Sequence, residues 1–461
     1  MFTEIARCKG SIERCIVKPY YNNNLFYGSV FMANKVPNIV IVGGGAGGME
    51  LAALLGKKFG KAGTASITLV DCSPTHIWKP LLHEVAAGSL FTNENEIDYL
   101  AYAATHHVHF VLGALEGLNR SKKEIYLSPF YSHEQEILPK RAVAYDILII
   151  AVGSVANDFG IPGVREHCLF LDNIEQAAYF HRELLNRCMR LSQQPQQGQF
   201  NLVVVGGGAT GIELIAELNS TIHEIIDYGI GIQPELISFT LIEAANRLLT
   251  ALPEDLSEKV ATGLTRMGVK VCVNQQVDTV TKEGLHTKSS QFIPADLVVW
   301  TAGIKAPDFL HHLDGLEVNH INQLLVKQTL QTTLDDSIFV LGDCASCPQT
   351  NSDKMVPPRA QAAHQQARFL YKNLHKYLEG KPLPVYHYHD HGSLVTLSHQ
   401  VVGNLMGKMT QRFMIEGKLA RLFYLSLYKQ HQMSLYGGWR VFLLTLSNVL
   451  SRRVKPRLKL H

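Results

Sequence analysis

The feature that most constrains the fold of this chain is a strand–glycine–helix pattern that occurs twice. The buried-strand pattern Asn38–Val42 runs directly into the glycine-rich segment Gly43–Gly48, and a helix-like run follows. The same order recurs at Asn201–Val205 and Gly206–Gly211. One Gly-rich turn is common, but two copies in the same strand–turn–helix context predict an α/β chain built from a duplicated domain.

Both glycine segments have the spacing G-x-G-x-x-G, and each glycine has its own physical reason. The first allows a tight turn, the second lets backbone approach a pyrophosphate, and the third lets helix and strand pack closely. The helix N-terminus then presents free N–H groups to the phosphates. We therefore predict two dinucleotide sites, which use these glycines: Gly43, Gly45 and Gly48 in the first, and Gly206, Gly208 and Gly211 in the second.

Each copy also has an acid at the end of its second strand. Asp71 ends the strand pattern Ile67–Asp71, and Glu243 ends Phe239–Glu243. A carboxylate here accepts hydrogen bonds from ribose hydroxyls, although an ordinary surface acid is the alternative. Because Glu243 would repel a 2′-phosphate, we expect the second site to prefer NADH over NADPH. Arg247, four residues further on, weakens that expectation slightly.

The duplication extends to the strands that close each module. Tyr145–Gly153 and Ala295–Gly303 both read Asp, then a buried strand, then Ala-x-Gly. A further strand pattern, Ser337–Asp343, ends in Gly342 and Asp343, which we assign to the first site. We therefore predict two Rossmann-like domains, the second inserted in the first, with FAD bound non-covalently in the first and NADH in the second.

Composition excludes several classes of protein. Hydrophobic residues make up 46% and charged residues 18%, which excludes a largely disordered chain. A net charge of +3 is too balanced for a general nucleic-acid binder. The eight scattered cysteines, without a signal peptide, indicate a reduced, cytoplasmic chain. The longest apolar run, Val441–Leu450, is about half of what a membrane span needs.

Four segments narrow the class further. The chain resembles the bacterial type II NADH:quinone oxidoreductases, which are single-subunit, non-pumping NADH dehydrogenases, from about Val36 to His461. The resemblance is carried by His76–Ala86, Trp300–Pro307, Leu341–Ala345 and Ala360–Gln365, and by the basic tail. One departure lies beside Asp71, where Cys72 replaces the common Arg.

This resemblance implies a respiratory enzyme in which a hydride passes from NADH to FAD and two electrons then pass to a membrane quinone. It places the acid Glu213 near the flavin–nicotinamide contact, with a first-turn acid that complements the helix dipole as the alternative. Gln361 and Gln365 lie on one helical face and have amides suited to a quinone carbonyl, although a polar helix surface is the alternative. We expect Lys79 to neutralise charge on the flavin or its phosphates, unless it is simply solvated, and Lys429 to approach the quinone headgroup. The remaining expected cofactor contacts are Gly153, Gly303, Gly342, Asp343 and Ala360.

We expect five regions along the chain. They are an extra, disordered N-terminal segment, residues 1–35; two parts of the FAD domain, 36–158 and 325–390, the second with the quinone-site helix; the NADH domain, 159–324; and a membrane-binding region, 391–461. Residues 1–31 match no domain pattern, so we expect a chain starting at Met32 to be active.

The last region combines apolar and basic residues that suit an anionic lipid surface. The apolar set is Leu419, Leu422, Phe423, Leu425, Leu427, Tyr428, Trp439, Val441, Phe442, Leu443, Leu444, Leu446, Val449 and Leu450. The basic set is Lys418, Arg421, Arg440, Arg452, Arg453, Lys455, Arg457 and Lys459. We expect a peripheral anchor on the cytoplasmic face of the inner membrane, with a dimer interface or a core helix as the alternative.

Two further patterns suggest metal or redox chemistry. Cys344 and Cys347 form C-x-x-C, but no second pair exists to complete a zinc site, and we favour two ordinary thiols. His387, His389 and His391 alternate, and we favour a surface strand over a metal site. Residues 43–71 contain no cysteine, which argues against a disulfide reductase. A sulfide:quinone reductase would not need Glu243, and a nucleotide sensor would not need the glutamine helix or the membrane-binding tail.

Overall fold

The computed structural model describes residues 36–90, 95–132, 134–194, 198–350, 352–397, 400–406, 412–416, 429, 432–433 and 437–451. The expectations for residues 1–35, for Lys418–Tyr428 and for the five terminal basic residues lie outside this part of the chain, as do those for the side chains of Val449 and Leu450.

The first sheet has five parallel strands whose central member is the strand that leads into the first glycine turn. Ile41 pairs with Leu69 on one side and with Ile149 on the other. Across the sheet the strands are Ile338–Val340, Ile147–Ile150, Asn38–Val42, Ser66–Asp71 and His109–Leu112. They are rich in Val and Ile because helices cover both faces of such a sheet.

The second sheet repeats this arrangement. Val204 on its central strand pairs with Leu241 and with Val299. Across the sheet the strands are Cys168–Leu169, Leu297–Trp300, Phe200–Val205, Ile237–Ile242 and Val269–Cys272. The strands predicted from sequence are confirmed: Asn38–Val42 agrees at both ends, and the ends of the others differ by at most three residues.

Along the chain, all five strands of the second sheet lie between Ile147–Ile150 and Ile338–Val340 of the first sheet. This order confirms the predicted insertion. The two connections between the modules run side by side, as Val155–Ala156 pairs antiparallel with Ile304–Lys305. Strand Ile338–Val340 then pairs with Ile147–Ile150 and completes the first sheet.

In the described residues the helices are α1 (Ala46–Leu55), α2 (Leu82–Ala87), α3 (Tyr99–His106), α4 (Val164–His167), α5 (Ile174–Gln193), α6 (Ala209–Asp227), α7 (Glu254–Arg266), α8 (Ala360–Leu378) and α9 (Gly438–Ser451). Helix α1 continues as a π-helical turn, Gly56–Gly60. Short 3₁₀ turns lie at Lys79–Leu81, Pro234–Leu236, Asp308–His312 and Gly342–Cys344. No helix in the described part of the chain is long and apolar enough to cross a membrane.

Smaller sheets complete the fold. Three have three antiparallel strands: Leu115–Asn119, Glu124–Leu127 and Arg141–Ala144; Val277–Thr281, Gly284–Thr287 and Phe292–Pro294; and Gly392–Leu397, Gln400–Met406 and Arg412–Glu416. Two-stranded pairs are Thr75–His76 with Ile97–Asp98, Phe130–Ser132 with Gln135–Leu138, and Leu324–Leu325 with Ala345–Ser346.

Two segments from outside the second module pack into its core. Leu82 and Val85 of α2, and Val395 and Leu397 of the strand Gly392–Leu397, are buried with the residues that cover the second sheet. Burying one such side chain contributes about 1.5–3 kcal/mol. The second module is therefore held by chain segments that both precede and follow it in sequence.

A buried charge network joins α1 to α8. Glu50 on α1 is almost fully buried and accepts hydrogen bonds from the His364 ring and from Arg368 Nε, the latter at 2.8 Å. These two partners outweigh desolvation and lower the pKa of Glu50. The network fixes α8, and with it the two glutamines, against the helix of the first glycine turn.

Candidate functional site

The first glycine turn has the geometry that a pyrophosphate requires. Gly43 has φ +103°, and a Cβ there would collide with the backbone of Ala151. A Cβ at Gly48 would collide with the Gly43 carbonyl. At Gly45, the N-cap of α1, an added Cβ would have nothing within 4 Å. The turn is therefore closed toward the protein and open in front of the helix N-terminus.

The second glycine turn repeats this geometry. Gly206 has φ +117°, and a Cβ there would lie 2.8 Å from the Ala302 nitrogen. A Cβ at Gly211 would collide with the Gly206 carbonyl, whereas one at Gly208, the N-cap of α6, would face open space. Both turns therefore fit the pyrophosphate of a dinucleotide.

Asp71 lies beside the first turn, as predicted. Its carboxylate accepts hydrogen bonds from Gly44 N at 2.6 Å and Ser73 N at 2.9 Å. The buried Tyr99 hydroxyl donates to the Gly44 carbonyl at 2.8 Å and lies 3.4 Å from Asp71 Oδ2. Burial raises the pKa of Asp71 despite these donors. Tyr99 was missed from sequence, since an aromatic residue at a helix start carries no motif.

Glu243 occupies the corresponding place in the second module. It accepts from Gly207 N at 2.6 Å and from Ala245 N at 2.8 Å. The carboxylate is therefore held at the turn in the manner of Asp71, with its remaining lone pairs available to ribose hydroxyls.

Arg247 does not present its charge to this site. Its Nη1 donates to the carbonyls of Leu249 and Leu252 at 3.2 and 3.0 Å, and its Nη2 donates to the Thr250 carbonyl at 2.9 Å. A guanidinium that closes its own loop is poorly placed to receive a 2′-phosphate. Arg247 therefore weakens the expected preference for NADH over NADPH less than its position in the sequence indicates.

Asp343 lies at the carboxyl end of the first sheet, where a third contact with the first site was expected. Ser154 Oγ, next to Gly153, donates to Asp343 Oδ2 at 2.8 Å. Burial raises the pKa of Asp343, opposed by Ser154 and by the charge of Lys79. Lys79 Nζ donates to the Ser154 carbonyl at 2.7 Å and is about half exposed. These three side chains thus form one polar group at the sheet edge.

The Gly342 turn is tied to α8. Gly342 has φ +76°, and its N–H donates to Gln366 Oε1 at 2.7 Å. Ala360 is the first residue of α8, the same helix that carries Gln366. Gly303 follows the closing strand of the second module with φ +65° and lies under the ring of Phe159.

Glu213 is buried between three segments, and the first-turn alternative is wrong. Helix α6 begins at Ala209, so its first turn ends before Glu213 and contains no acid. Glu213 Oε1 accepts from Thr396 N at 2.9 Å and Thr396 Oγ1 at 3.1 Å. Its Oε2 lies 4.0 Å from His83 Nδ1. Burial raises the pKa of Glu213 to about 7.

Gln361 and Gln365 lie on one face of α8, as predicted, and both amides bind backbone. Gln365 accepts from His389 N at 3.0 Å and donates to the His389 carbonyl at 2.7 Å. Gln361 accepts from His391 N at 3.1 Å and donates toward Asp390 and Gly392. The glutamines thus hold the segment 389–392 against the helix.

The histidine and cysteine patterns have ordinary surroundings. His387, His389 and His391 are exposed in an irregular segment, so the predicted strand is wrong; the backbone is held by α8 instead of a sheet partner. Cys344 and Cys347 are free and buried, and burial raises the pKa of each thiol to about 12. The described residues contain no group of three potential metal ligands.

The C-terminal helix α9 has an exposed apolar face. Trp439, Phe442, Leu443 and Leu446 are 72%, 56%, 47% and 47% exposed and are spaced as one helical face. Val441 is buried on the other side. Lys429 precedes α9 in sequence, and its Nζ donates to Gln432 Oε1 at 2.9 Å.

The fold and the paired turns define a flavoprotein reductase with two dinucleotide sites. The family model of pyridine nucleotide-disulphide oxidoreductases matches residues 37–367. Among solved structures, an NDH2 from Plasmodium falciparum in complex with NADH has a TM-score of 0.78 at 20% identity, covering 92% of this chain and 100% of that one. A sulfide:quinone oxidoreductase from Aquifex aeolicus has a TM-score of 0.69 at 16% identity, covering 91% and 96%.

Curated relatives narrow this class. A type II NADH:quinone oxidoreductase of Haemophilus influenzae is 44% identical, covering 92% of this chain and 100% of the relative. One from Staphylococcus saprophyticus is 25% identical over 82% and 92%. The chain therefore belongs to the type II NADH:quinone oxidoreductases, flavoprotein enzymes that use FAD and oxidise NADH with a quinone.

Proposed function

We propose that the two modules divide the cofactors of this reaction, with FAD held non-covalently in the first and NADH exchanging in the second. The open turns at Gly45 and Gly208 support one dinucleotide site in each module. The observation that carries the division is the set of contacts that Tyr99, Lys79 and Gln366 make around the first site. Asp71 and Glu243 accept hydrogen bonds from ribose hydroxyls, and the N-termini of α1 and α6 face the phosphates.

When bound, the FAD supplies a group that accepts a hydride from NADH and passes two electrons to a quinone. Asp343 and Ser154 orient it through polar contacts, and Lys79 offsets negative charge beside them. Because these groups lie at the carboxyl ends of parallel strands, they meet where a switch in strand order opens a crevice. The protein thus contributes position and charge to the reaction.

Glu213 is the acid that we assign to the flavin–nicotinamide contact. With a pKa of about 7, its carboxyl exchanges a proton readily at working pH. Its burial excludes bulk water from that exchange. His83, whose pKa burial lowers to about 4, stays neutral beside it.

For the quinone we propose the N-terminal face of α8. Gln361 and Gln365 can offer amides to a quinone carbonyl by exchanging their bonds to the segment 389–392. Lys429 would approach the same headgroup. Electron transfer proceeds without proton pumping in this proposal.

A lipid-soluble quinone requires a site that opens toward a bilayer, and α9 supplies the attachment. Its exposed face of Trp439, Phe442, Leu443 and Leu446 suits insertion into the headgroup boundary, with Arg440 beside it. We propose peripheral attachment to anionic lipid at the cytoplasmic face of the inner membrane. A homodimer that buries the same face is the competing arrangement.

The reaction is tested by anaerobic absorption of the purified protein. NADH should bleach the flavin band within one turnover, and a quinone should restore it. The matched control is NADPH, which Glu243 disfavours. A flavin that NADH leaves oxidised, or that NADPH bleaches equally fast, would contradict the division of sites.

The attachment is tested by deleting residues 433–461. The shortened protein should leave vesicles of anionic phospholipid while it keeps flavin and oxidises NADH with a water-soluble acceptor. Flotation of the shortened protein with vesicles at high salt would place the attachment elsewhere.

A further inference from the structure

The strand Gly392–Leu397 brings both polar donors of Thr396 to one oxygen of Glu213. The Thr396 N–H and hydroxyl donate to Oε1 at 2.9 and 3.1 Å, and all these groups are buried. The other oxygen, Oε2, faces His83. The carboxylate is thus oriented by a residue more than 180 positions away in sequence.

Two independent sets of contacts fix the place of Thr396. On its N-terminal side, Gln361 and Gln365 bind the backbone of residues 389–392. On either side of it, Val395 and Leu397 are buried in the core of the second module. Leu397 also packs close to Gly263 of α7. A shift of Thr396 away from Glu213 would therefore disturb both sets.

The other groups that face Glu213 do not stabilise its charge. Burial raises the pKa of Glu213 most, and like-charge repulsion from Glu84 on α2 and Glu217 on α6 raises it further. His83 on α2 is neutral, because burial lowers its pKa to about 4. The Thr396 donors act in the opposite direction, since hydrogen bonds to a carboxylate favour its ionised form.

We infer that Thr396 is a positioning residue of this enzyme, whose hydroxyl and N–H hold the Glu213 carboxylate in one orientation. The inference rests on the role proposed for Glu213. In this inference the strand Gly392–Leu397, which follows α8, places the Thr396 donors against Glu213 of the second module.

The test is an infrared pH titration of the oxidised holoenzyme, which needs no turnover. The protonated carboxyl band of Glu213 is assigned by its absence in Glu213→Gln. Thr396→Val keeps the strand-forming shape and the N–H but lacks the hydroxyl, so the midpoint should rise by about one pH unit, a tenfold gain in proton affinity. Thr396→Ser keeps the hydroxyl, so the Glu213 band in this variant should have the same midpoint as in the wild type.

An unshifted midpoint in Thr396→Val, or an equal shift in Thr396→Ser, would overturn the inference. Thr396→Ala provides a second hydroxyl-free variant if the valine variant loses its flavin, and it should show the same rise. The pH profile of flavin reduction by NADH separates the two proposals. If the infrared midpoint of Glu213 moves in Thr396→Val while the pH profile of flavin reduction stays the same, the role proposed for Glu213 in the reaction is refuted. The positioning role of Thr396 then still holds.

Discussion

The two dinucleotide modules share a framework but differ in what reaches their glycine turns. In both, the middle glycine N–H binds the carboxylate at 2.6 Å: Gly44 to Asp71, and Gly207 to Glu243. Both also join their first strand to an aspartate that precedes the closing strand, since Asn38 N binds Asp146 and Asn201 N binds Asp296. The duplication therefore extends to single hydrogen bonds.

The difference lies in the elements added to the first module. Tyr99 covers its turn, Lys79 and Ser154 surround Asp343, and Gln366 of α8 holds Gly342. Beside the second turn lie Glu243, Leu248 and Thr301, whose Oγ1 donates to the Gly206 carbonyl at 3.3 Å. All three belong to the second module itself. The glycine motif thus suits a resident cofactor in the first module, where the added elements enclose the site, and an exchanging substrate in the second.

The largest expected effect follows from removing the strongest added contact. Asp343→Ala should reduce flavin affinity by about 10- to 100-fold, because a buried charged hydrogen-bond partner is worth about 1.5–3 kcal/mol. Flavin absorbance per mole of protein after gel filtration measures this. Asp336→Ala, at an exposed acid near the same strand, is the control and should keep its flavin. Full flavin occupancy in Asp343→Ala would remove the proposed difference.

Most of this framework was predictable from sequence because its signals are local. The strand Asn38–Val42, the turn Gly43–Gly48 and the acid Asp71 lie within about 35 residues of one another. The insertion was also predictable, since Ser337–Asp343 repeats the pattern of a sheet strand with no helix-turn partner of its own.

The enclosing residues were not predictable, because they depend on long-range packing. Thr396 meets Glu213 across 183 positions, and Ser154 meets Asp343 across 189. The bonds of Gln361 and Gln365 to the segment 389–392 were missed for a related reason. Helical spacing predicts a shared face, but not what covers that face.

A smaller effect is expected at the second turn. Glu243→Gln should raise the KM for NADH by about tenfold and leave flavin content unchanged, because ribose hydroxyls then bind a neutral amide instead of a carboxylate. Steady-state kinetics with NADH and NADPH measure the change. Glu283→Gln, an exposed acid of the same module, should behave as wild type. Loss of flavin in Glu243→Gln would mean that the assignment of the modules is reversed.

The smallest effect is expected at α8, the helix of the first module that we propose to bind the quinone. Gln361→Ala should slow reoxidation of the flavin by quinone several-fold, since one of two amides remains, and leave reduction by NADH unchanged. Stopped-flow traces separate the two half-reactions. Slowed reduction with normal reoxidation would assign α8 to the NADH side.

The division of cofactors is tested most directly by a matched pair of substitutions at the two open turns, Gly45→Val and Gly208→Val. Neither added side chain meets protein near its Cβ, and both positions have negative φ, so both variants should fold. Absorption spectra recorded before and after anaerobic addition of NADH provide the measurement. We predict that Gly45→Val is colourless, whereas Gly208→Val is yellow and is not bleached by NADH. A yellow Gly45→Val that NADH bleaches normally, or a colourless Gly208→Val, would contradict the account.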